Sequence, residues 1–110
     1  MSYAVLIYGD PEDTTSEHAP YQDWATYTQA MKDAGIFLAG EPLQGKETAT
    51  TLRVRGGKRA VTDGPFAETK ELLIGFYILD VADLDAALDW AARMPDANLH
   101  SLEIRPVMSF

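Results

Sequence analysis

Residues 72–79 read LLIGFYIL and are the most hydrophobic segment of this chain of 110 residues. A run of this length, rich in branched and aromatic side chains, predicts a β-strand that is apolar on both faces. Gly75 interrupts the run and predicts a bulge or a close approach of another backbone. Residues 3–8, YAVLIY, predict a second strand of the same kind. A sheet that contains these two strands needs cover on both of its faces.

Two helices are predicted to supply part of that cover. The first spans residues 20–34, because Pro20 suits a first helical turn and Gly35 can end the helix in a left-handed conformation. The second begins after an N-cap at Asp83 and ends at about Met94. The aromatic residues of the first helix recur at three-residue steps and are expected in the core: Tyr21, Trp24 and Tyr27.

Four shorter strands are predicted over residues 36–39, 49–55, 59–62 and 99–107. The segment Gly-Glu-Pro at 40–42 is expected to end the first of them. The two glycines at 56–57 predict a tight hairpin turn of type I′, because that turn needs positive φ at both central positions. A two-residue loop then pairs Val54 with Arg59.

The order β, α, β, hairpin, β, α, β predicts an α+β fold, with a mainly antiparallel sheet and both helices on one face. Two helices cover only one side of such a sheet. The opposite side would be a large apolar patch, which monomeric proteins seldom expose. A second copy of the chain, related by a two-fold axis, is the simplest cover. The sequence therefore predicts a homodimer in which two sheets face each other.

The composition narrows the classes of partner. Nine basic and 17 acidic residues give a formal charge of −8, which repels nucleic acid and anionic membrane surfaces. The absence of cysteine excludes disulfides and thiolate sites. The N-terminal segment has neither a basic region nor a long apolar run, so no signal peptide or membrane span is expected. We expect one domain over residues 1–110, located in the cytoplasm, without nucleic acid or membrane partners.

Four segments carry a family resemblance: YAVLIYGD at 3–10, AGEPLQ at 39–44, TDGPFAETKE at 62–71 and SLEIRPV at 101–107. Together they resemble the YCII-related proteins. The third segment in particular resembles the branch that is named for its Asp-Gly-Pro-Phe motif. The resemblance implies a ferredoxin-like βαβ(ββ)βαβ sandwich that forms a dimeric α+β barrel-like assembly.

The resemblance implies little about function. Members of this branch often occur near or fused to extracytoplasmic-function sigma factors, which implies a non-catalytic accessory or regulatory role as one alternative. The wider group has a proposed acid-base pair of histidine and aspartate. Asp33 matches the aspartate, but Trp24 stands at the histidine position, so the pair is not carried over to this chain.

The segment 62–71 is the first candidate for a functional site. Asp63 and Glu68 are candidate catalytic carboxylates, and Phe66 and Lys70 are candidate ligand-binding residues. In this hypothesis the protein binds or transforms a small polar or anionic molecule in a cleft between the sheet and this segment, by acid-base chemistry that needs no metal and no cofactor. The alternative is a structured turn in which Asp63 caps the backbone and Phe66 fills the core.

Glu103 and Arg105 are two further candidates for ligand binding. They lie on the strand face opposite Leu102 and Ile104. If the apolar pair faces the helices, the charged pair faces the space between two subunits. Ion pairs across the dimer are an equal alternative for these two residues.

The two histidines are expected to have no metal-binding role. His18 and His100 are far apart in sequence, and neither has a neighbouring ligand at the spacing of a known metal motif. His18 is expected to be solvated in a polar loop, and His100 to be a hydrogen-bonded polar residue.

Overall fold

A computed structural model describes residues 1–10, 12–13, 16–67 and 69–110. The elements follow in the order β1 (Ser2–Gly9), α1 (Tyr21–Asp33), β2 (Phe37–Pro42), β3 (Thr50–Arg55), β4 (Lys58–Asp63), β5 (Leu72–Asp80), α2 (Leu84–Ala92) and β6 (Ser101–Pro106). This is the order expected from the sequence, with an added 3₁₀ turn at Lys46–Thr48.

Four strands form one antiparallel sheet in the order β2-β5-β1-β6. In the middle of this sheet, Val5 of β1 pairs with Tyr77 of β5 on one side and with Ile104 of β6 on the other. The register between β1 and β5 shifts beside Gly75, which confirms the predicted bulge. Two helices and an antiparallel sheet confirm the α+β class and are consistent with a ferredoxin-like fold.

The two helices cover one face of this sheet. The buried core consists of apolar side chains from both layers: Tyr3, Val5, Ile7, Tyr27, Met31, Tyr77, Leu79, Val81, Ala87, Ala91 and Met94. Tyr27 carries a polar atom into this core, and its hydroxyl donates to the Trp90 carbonyl at 2.7 Å. Burial raises the pKa of the Tyr27 phenol, so this hydroxyl stays protonated and keeps its hydrogen bond.

The opposite face of the sheet, called the open face below, is left uncovered by the two helices. It carries alternate side chains of three strands: Ala4, Leu6, Tyr8, Leu73, Phe76, Ile78, Glu103 and Arg105. The register places Leu6 between Phe76 and Glu103. The open face is therefore apolar along β1 and β5 and charged along β6.

β3 and β4 form a separate two-stranded hairpin. Its register pairs Val54 with Arg59, as predicted, and Leu52 with Val61. Leu52, Val54 and Val61 share one face of the hairpin and are 52%, 51% and 61% exposed. The radius of gyration, 15.8 Å, exceeds the roughly 13 Å of a compact domain of this length. The hairpin thus extends from the sheet, and three of the apolar side chains on one of its faces are only about half buried by their own chain.

β2 is longer than predicted. It continues through Gly40 to Pro42, although the segment 40–42 was expected to break it. Pro42 is tolerated because β2 is an edge strand that pairs only with β5. Gly40 lies directly against the ring of Tyr77, where a Cβ would overlap the ring, so glycine allows the close packing of the two strands.

The helices differ from their predicted bounds at their ends. α1 begins at Tyr21, with Pro20 at the N-cap, and Gly35 has the expected left-handed conformation with φ of 74°. Tyr21 is 85% exposed, so its predicted core position is wrong, because the first turn of α1 borders an open groove. α2 ends at Ala92. No helix in the described ranges is long and apolar enough to cross a membrane.

The N-cap of α2 generates a prediction for stability. The Asp83 carboxylate accepts a hydrogen bond from the Ala86 amide at 2.9 Å. Asp83→Ala leaves this amide without its cap and is expected to lower the free energy of unfolding by about 1 kcal/mol. Urea unfolding followed by circular dichroism measures the change. Asp85→Ala, which removes an acid from the same turn but no cap, should cost less, and equal losses in both variants would contradict the capping role.

Candidate functional site

A groove of about 540 Å³ opens between α1 and the β2–β5 edge of the sheet. Helix and strands both contribute to its walls, with Trp24, Thr28 and Lys32 on one side and Gly40, Glu41 and Tyr77 on the other. Most of the lining is apolar or aromatic and a few groups are polar, which is the usual composition of a small-molecule site.

The polar groups of the groove are held in place by their neighbours. The Thr28 and Tyr77 hydroxyls are 3.1 Å apart and form a hydrogen bond. The Lys32 ammonium lies 5.3 Å from the centroid of the Phe37 ring, in a cation–π contact near the end of α1. The groove can therefore offer a hydroxyl pair and the positive charge of Lys32 to the polar end of a bound molecule, and the carboxylate of Glu41 lies on the opposite wall.

The predicted site residues of the segment 62–71 lie elsewhere. The described residues of this segment do not line the groove. Asp63 and Lys70 are exposed, and Phe66 is 76% exposed, with the Arg53 guanidinium 5.2 Å from its ring centroid. The expectation that Phe66 fills the core is therefore wrong. Glu68 lies outside the described residues. The catalytic and ligand-binding roles of this segment stay predictions.

The start of the same segment is a structured turn. Gly64 follows β4 with φ of 105°, a conformation that favours glycine. Its amide donates to the Ala49 carbonyl at 2.8 Å, and its carbonyl accepts from the Thr51 hydroxyl at 2.8 Å. The turn is thus fixed to the beginning of β3.

Glu103 and Arg105 lie on the open face, opposite Leu6 and Ala4 of β1. Leu102 and Ile104 pack against the core on the other face, which is the orientation on which the hypothesis for the charged pair depends. The ligand-binding role of the charged pair stays a prediction.

A second candidate site joins residues that are distant in sequence. His18, Asp96 and His100 each offer one ligand atom, and these atoms lie within 4.8 Å of one another. His18 Nδ1 is 3.4 Å from Asp96 Oδ2, and the two imidazole rings stack with centroids 6.2 Å apart. The Ala19 amide donates to Asp96 Oδ1 at 2.7 Å. This bond fixes the carboxylate and joins the loop before α1 to the segment after α2.

One ring nitrogen of His100 is unsatisfied. Its Nδ1 is buried and has no hydrogen-bond partner among the described residues. A Cβ on Gly9 would lie 2.8 Å from this nitrogen, so glycine at that position leaves room for the ring. Burial lowers the pKa of His100 from its usual value of 6.5, and His18 adds to the lowering, while Asp96 and Glu71 oppose it.

This cluster was missed because sequence reasoning looked for ligands at short spacing. The pairing of β1 with β6 sets Tyr8 opposite Ser101, which carries His100 to the end of β1. His18 was expected to be solvated; its side chain is 42% exposed, but it contacts Asp96. The strand register, which the local pattern does not specify, brings these residues together.

Comparison with known proteins identifies relatives. The family profile of the YCII-related domain matches residues 1–110. An uncharacterized protein of Rhizobium meliloti (strain 1021) is 40% identical over 114 residues, which cover 97% of this chain and 92% of the relative. Membership in the branch with the Asp-Gly-Pro-Phe motif stays a prediction.

The lowered pKa of His100 generates a prediction for pH dependence. Because the unfolded chain binds a proton near pH 6.5 more readily than the folded chain does, the contribution of His100 to stability is present above that pH and is lost as the pH falls. His100→Gln should therefore lose less stability than the unaltered chain between about pH 7.5 and about pH 5.5.

Urea unfolding in the presence of a chelator at both pH values measures this difference. Because His100 is partly exposed, its effect should stay well below the single-proton limit of about 1.4 kcal/mol per pH unit. Equal losses in the two proteins would show that protonation of His100 is not linked to folding.

Proposed function

We propose that this chain, which belongs to the YCII-related family, is a homodimeric protein that binds a small organic molecule with an apolar body and a polar or anionic end. The binding site is the groove between α1 and the β2–β5 edge. One observation carries the proposal, namely the combination of aromatic walls, a hydroxyl pair and a cation in a groove of about 540 Å³. Sites of small molecules commonly enclose about 300 to 1,000 Å³.

Each part of the groove suits one part of such a ligand. Trp24 and Tyr77 offer ring surface for an apolar or aromatic body. The hydroxyl pair of Thr28 and Tyr77 can exchange hydrogen bonds with a polar substituent. Lys32 supplies the positive charge for an anionic end, in a protein whose charge is otherwise strongly negative.

We propose in addition that the segment 62–71 takes part in function only within the assembly. Asp63 is the first carboxylate to test for acid-base chemistry, with Glu68 as the second and Phe66 and Lys70 as ligand contacts. A general base has to lie within hydrogen-bond reach of its substrate. Asp63 and Phe66 are exposed in the single chain, so a second copy would have to enclose them.

Two apolar surfaces support the proposed homodimer. The open face presents Leu6, Phe76 and Ile78 on the side of the sheet without helices. The hairpin presents a second apolar face beyond the sheet, in a molecule that measures 45 × 43 × 19 Å. Surfaces of this kind are normally buried in an interface. A two-fold contact between two copies covers both, and it places Glu103 and Arg105 at the interface as ligand contacts or ion-pair partners.

The groove generates a prediction for ligand binding. Benzoate and 4-hydroxybenzoate have an aromatic body with an anionic end, whereas acetate has the anionic end alone. We expect the two aromatic acids to raise the melting temperature and to change the fluorescence of Trp24, and acetate to do neither. Trp90→Phe leaves Trp24 as the single tryptophan and assigns the fluorescence signal.

Matched variants locate the binding site. Lys32→Gln should weaken binding of both aromatic acids by about ten-fold, because it removes the charge that meets the carboxylate. Lys58→Gln removes the same charge at the tip of the hairpin and should leave binding unchanged. Loss of the response in a folded Asp63→Ala variant would assign the segment 62–71 to the site. If none of the three probes changed the melting temperature or the fluorescence, the result would contradict the binding proposal and favour the accessory role.

The open face generates a prediction for assembly. Sedimentation equilibrium should give a mass of twice the 12.1 kDa chain. Leu6→Asp places a charge in the middle of the open face and should yield a folded monomer, because burying an unpaired carboxylate is unfavourable. Leu88→Asp makes the same change on the exposed side of α2 and should remain a dimer. A monomeric unaltered chain would contradict the assembly.

A further inference from the structure

The cluster of His18, Asp96 and His100 has a donor set that is suited to a metal ion. Two imidazoles and one carboxylate are common ligands of Zn²⁺ and related transition ions in proteins. The three residues come from two separate segments, one before α1 and one between α2 and β6. The atoms of the cluster lie within 4.8 Å of one another, at the end of the sheet that is formed by Gly9 and the start of β6.

One pair of candidate ligand atoms already has the spacing of two ligands around a tetrahedral ion. With metal–ligand bonds of about 2.0 to 2.2 Å, ligand atoms around a tetrahedral ion lie about 3.3 Å apart. His18 Nδ1 and Asp96 Oδ2 are separated by 3.4 Å. The ring of His18 lies on an exposed loop, so it can shorten the longer distances to His100 by a small movement.

The neighbouring groups and the net charge of the protein favour binding of a cation by these residues. Asp96 Oδ1 is occupied by the Ala19 amide, and Oδ2 lies beside His18. A buried nitrogen of His100 has no hydrogen-bond partner in the described part of the chain, so the packing around this ring leaves one polar atom unsatisfied. The net charge of −8 raises the local concentration of cations around the whole molecule.

We propose that His18, Asp96 and His100 bind a divalent transition-metal ion, with Zn²⁺ as the best-suited candidate. Three protein ligands leave a fourth position of a tetrahedral shell open to water or to another small ligand. The ion links the loop before α1 to the segment before β6 and so fixes the entrance to α1. Mg²⁺ and Ca²⁺ are not expected to bind, because both ions prefer shells made of oxygen atoms.

The experiment uses the full chain without a histidine tag, after treatment with a chelator. Calorimetry with ZnCl₂ should show one ion per chain, and MgCl₂ should show none at this site. The chain contains two histidines, so the NMR spectrum of His18→Ala assigns both sets of imidazole resonances. Both sets of resonances should shift together and saturate at one equivalent of Zn²⁺.

Three variants and a control test the assignment. His18→Ala, His100→Gln and Asp96→Asn should each weaken Zn²⁺ binding by at least about ten-fold. His18 is the most exposed of the three ligands, so His18→Ala is the variant that tests the proposal without risk to the fold. Asp96→Asn keeps an oxygen that can accept from the Ala19 amide. Asp89→Asn removes a carboxylate from α2 and should leave Zn²⁺ binding unchanged.

The outcomes are distinct from those of the groove experiments, since no residue of the cluster lines the groove. Absence of Zn²⁺ binding would overturn the proposal, as would binding that His18→Ala does not weaken. A shift of one histidine without the other would also overturn it and would leave the cluster as an ion pair beside a stacked ring.

Discussion

The placement of β1 between β5 and β6 is the constraint on which the other features depend. Its register directs Val5 and Ile7 to the helices and Leu6 to the open face, and a slip of one residue would exchange the two faces. The same register sets Tyr8 opposite Ser101 and so brings His100 to Gly9. One strand pairing therefore determines the core, the surface available for assembly and the position of the histidine cluster.

The sequence patterns predicted those features of the fold that depend on neighbouring residues, such as turns, helix caps and bulges. The glycines at 56–57 fixed the hairpin register, Asp83 marked the start of α2, and Gly75 marked a bulge. The core position predicted for Tyr21 was wrong, because packing at a helix end need not follow the helical period. The strand break predicted at Pro42 was wrong, because an edge strand tolerates proline. The histidine cluster depends on pairing across the whole chain, so no window of sequence contains it.

The most specific sequence motif and the best-formed groove occupy different parts of the single chain. The groove arises where α1 packs on the edge of the sheet and where Gly40 adds no side chain beside Tyr77. The segment 62–71 instead follows a hairpin that its own chain leaves largely exposed. Solvated charges are weak catalysts and weak binders, because water competes for every hydrogen bond and screens every charge. The proposed role of this segment therefore depends on burial by another molecule.

The charges on the open face favour a second copy of the chain as that molecule. In a two-fold contact, a residue i of one chain that meets residue j of the other is matched by a second contact, in which j of the first chain meets i of the other. A surface that carries Glu103 and Arg105 on the same strand face has both signs at adjacent positions, so a two-fold contact can pair each charge with its opposite. The apolar centre on β1 and β5 would pack at the sheet spacing of about 10 Å, with the charged strand at its border. All three residues of the histidine cluster come from one chain, so the proposed metal binding and the proposed assembly can be tested separately.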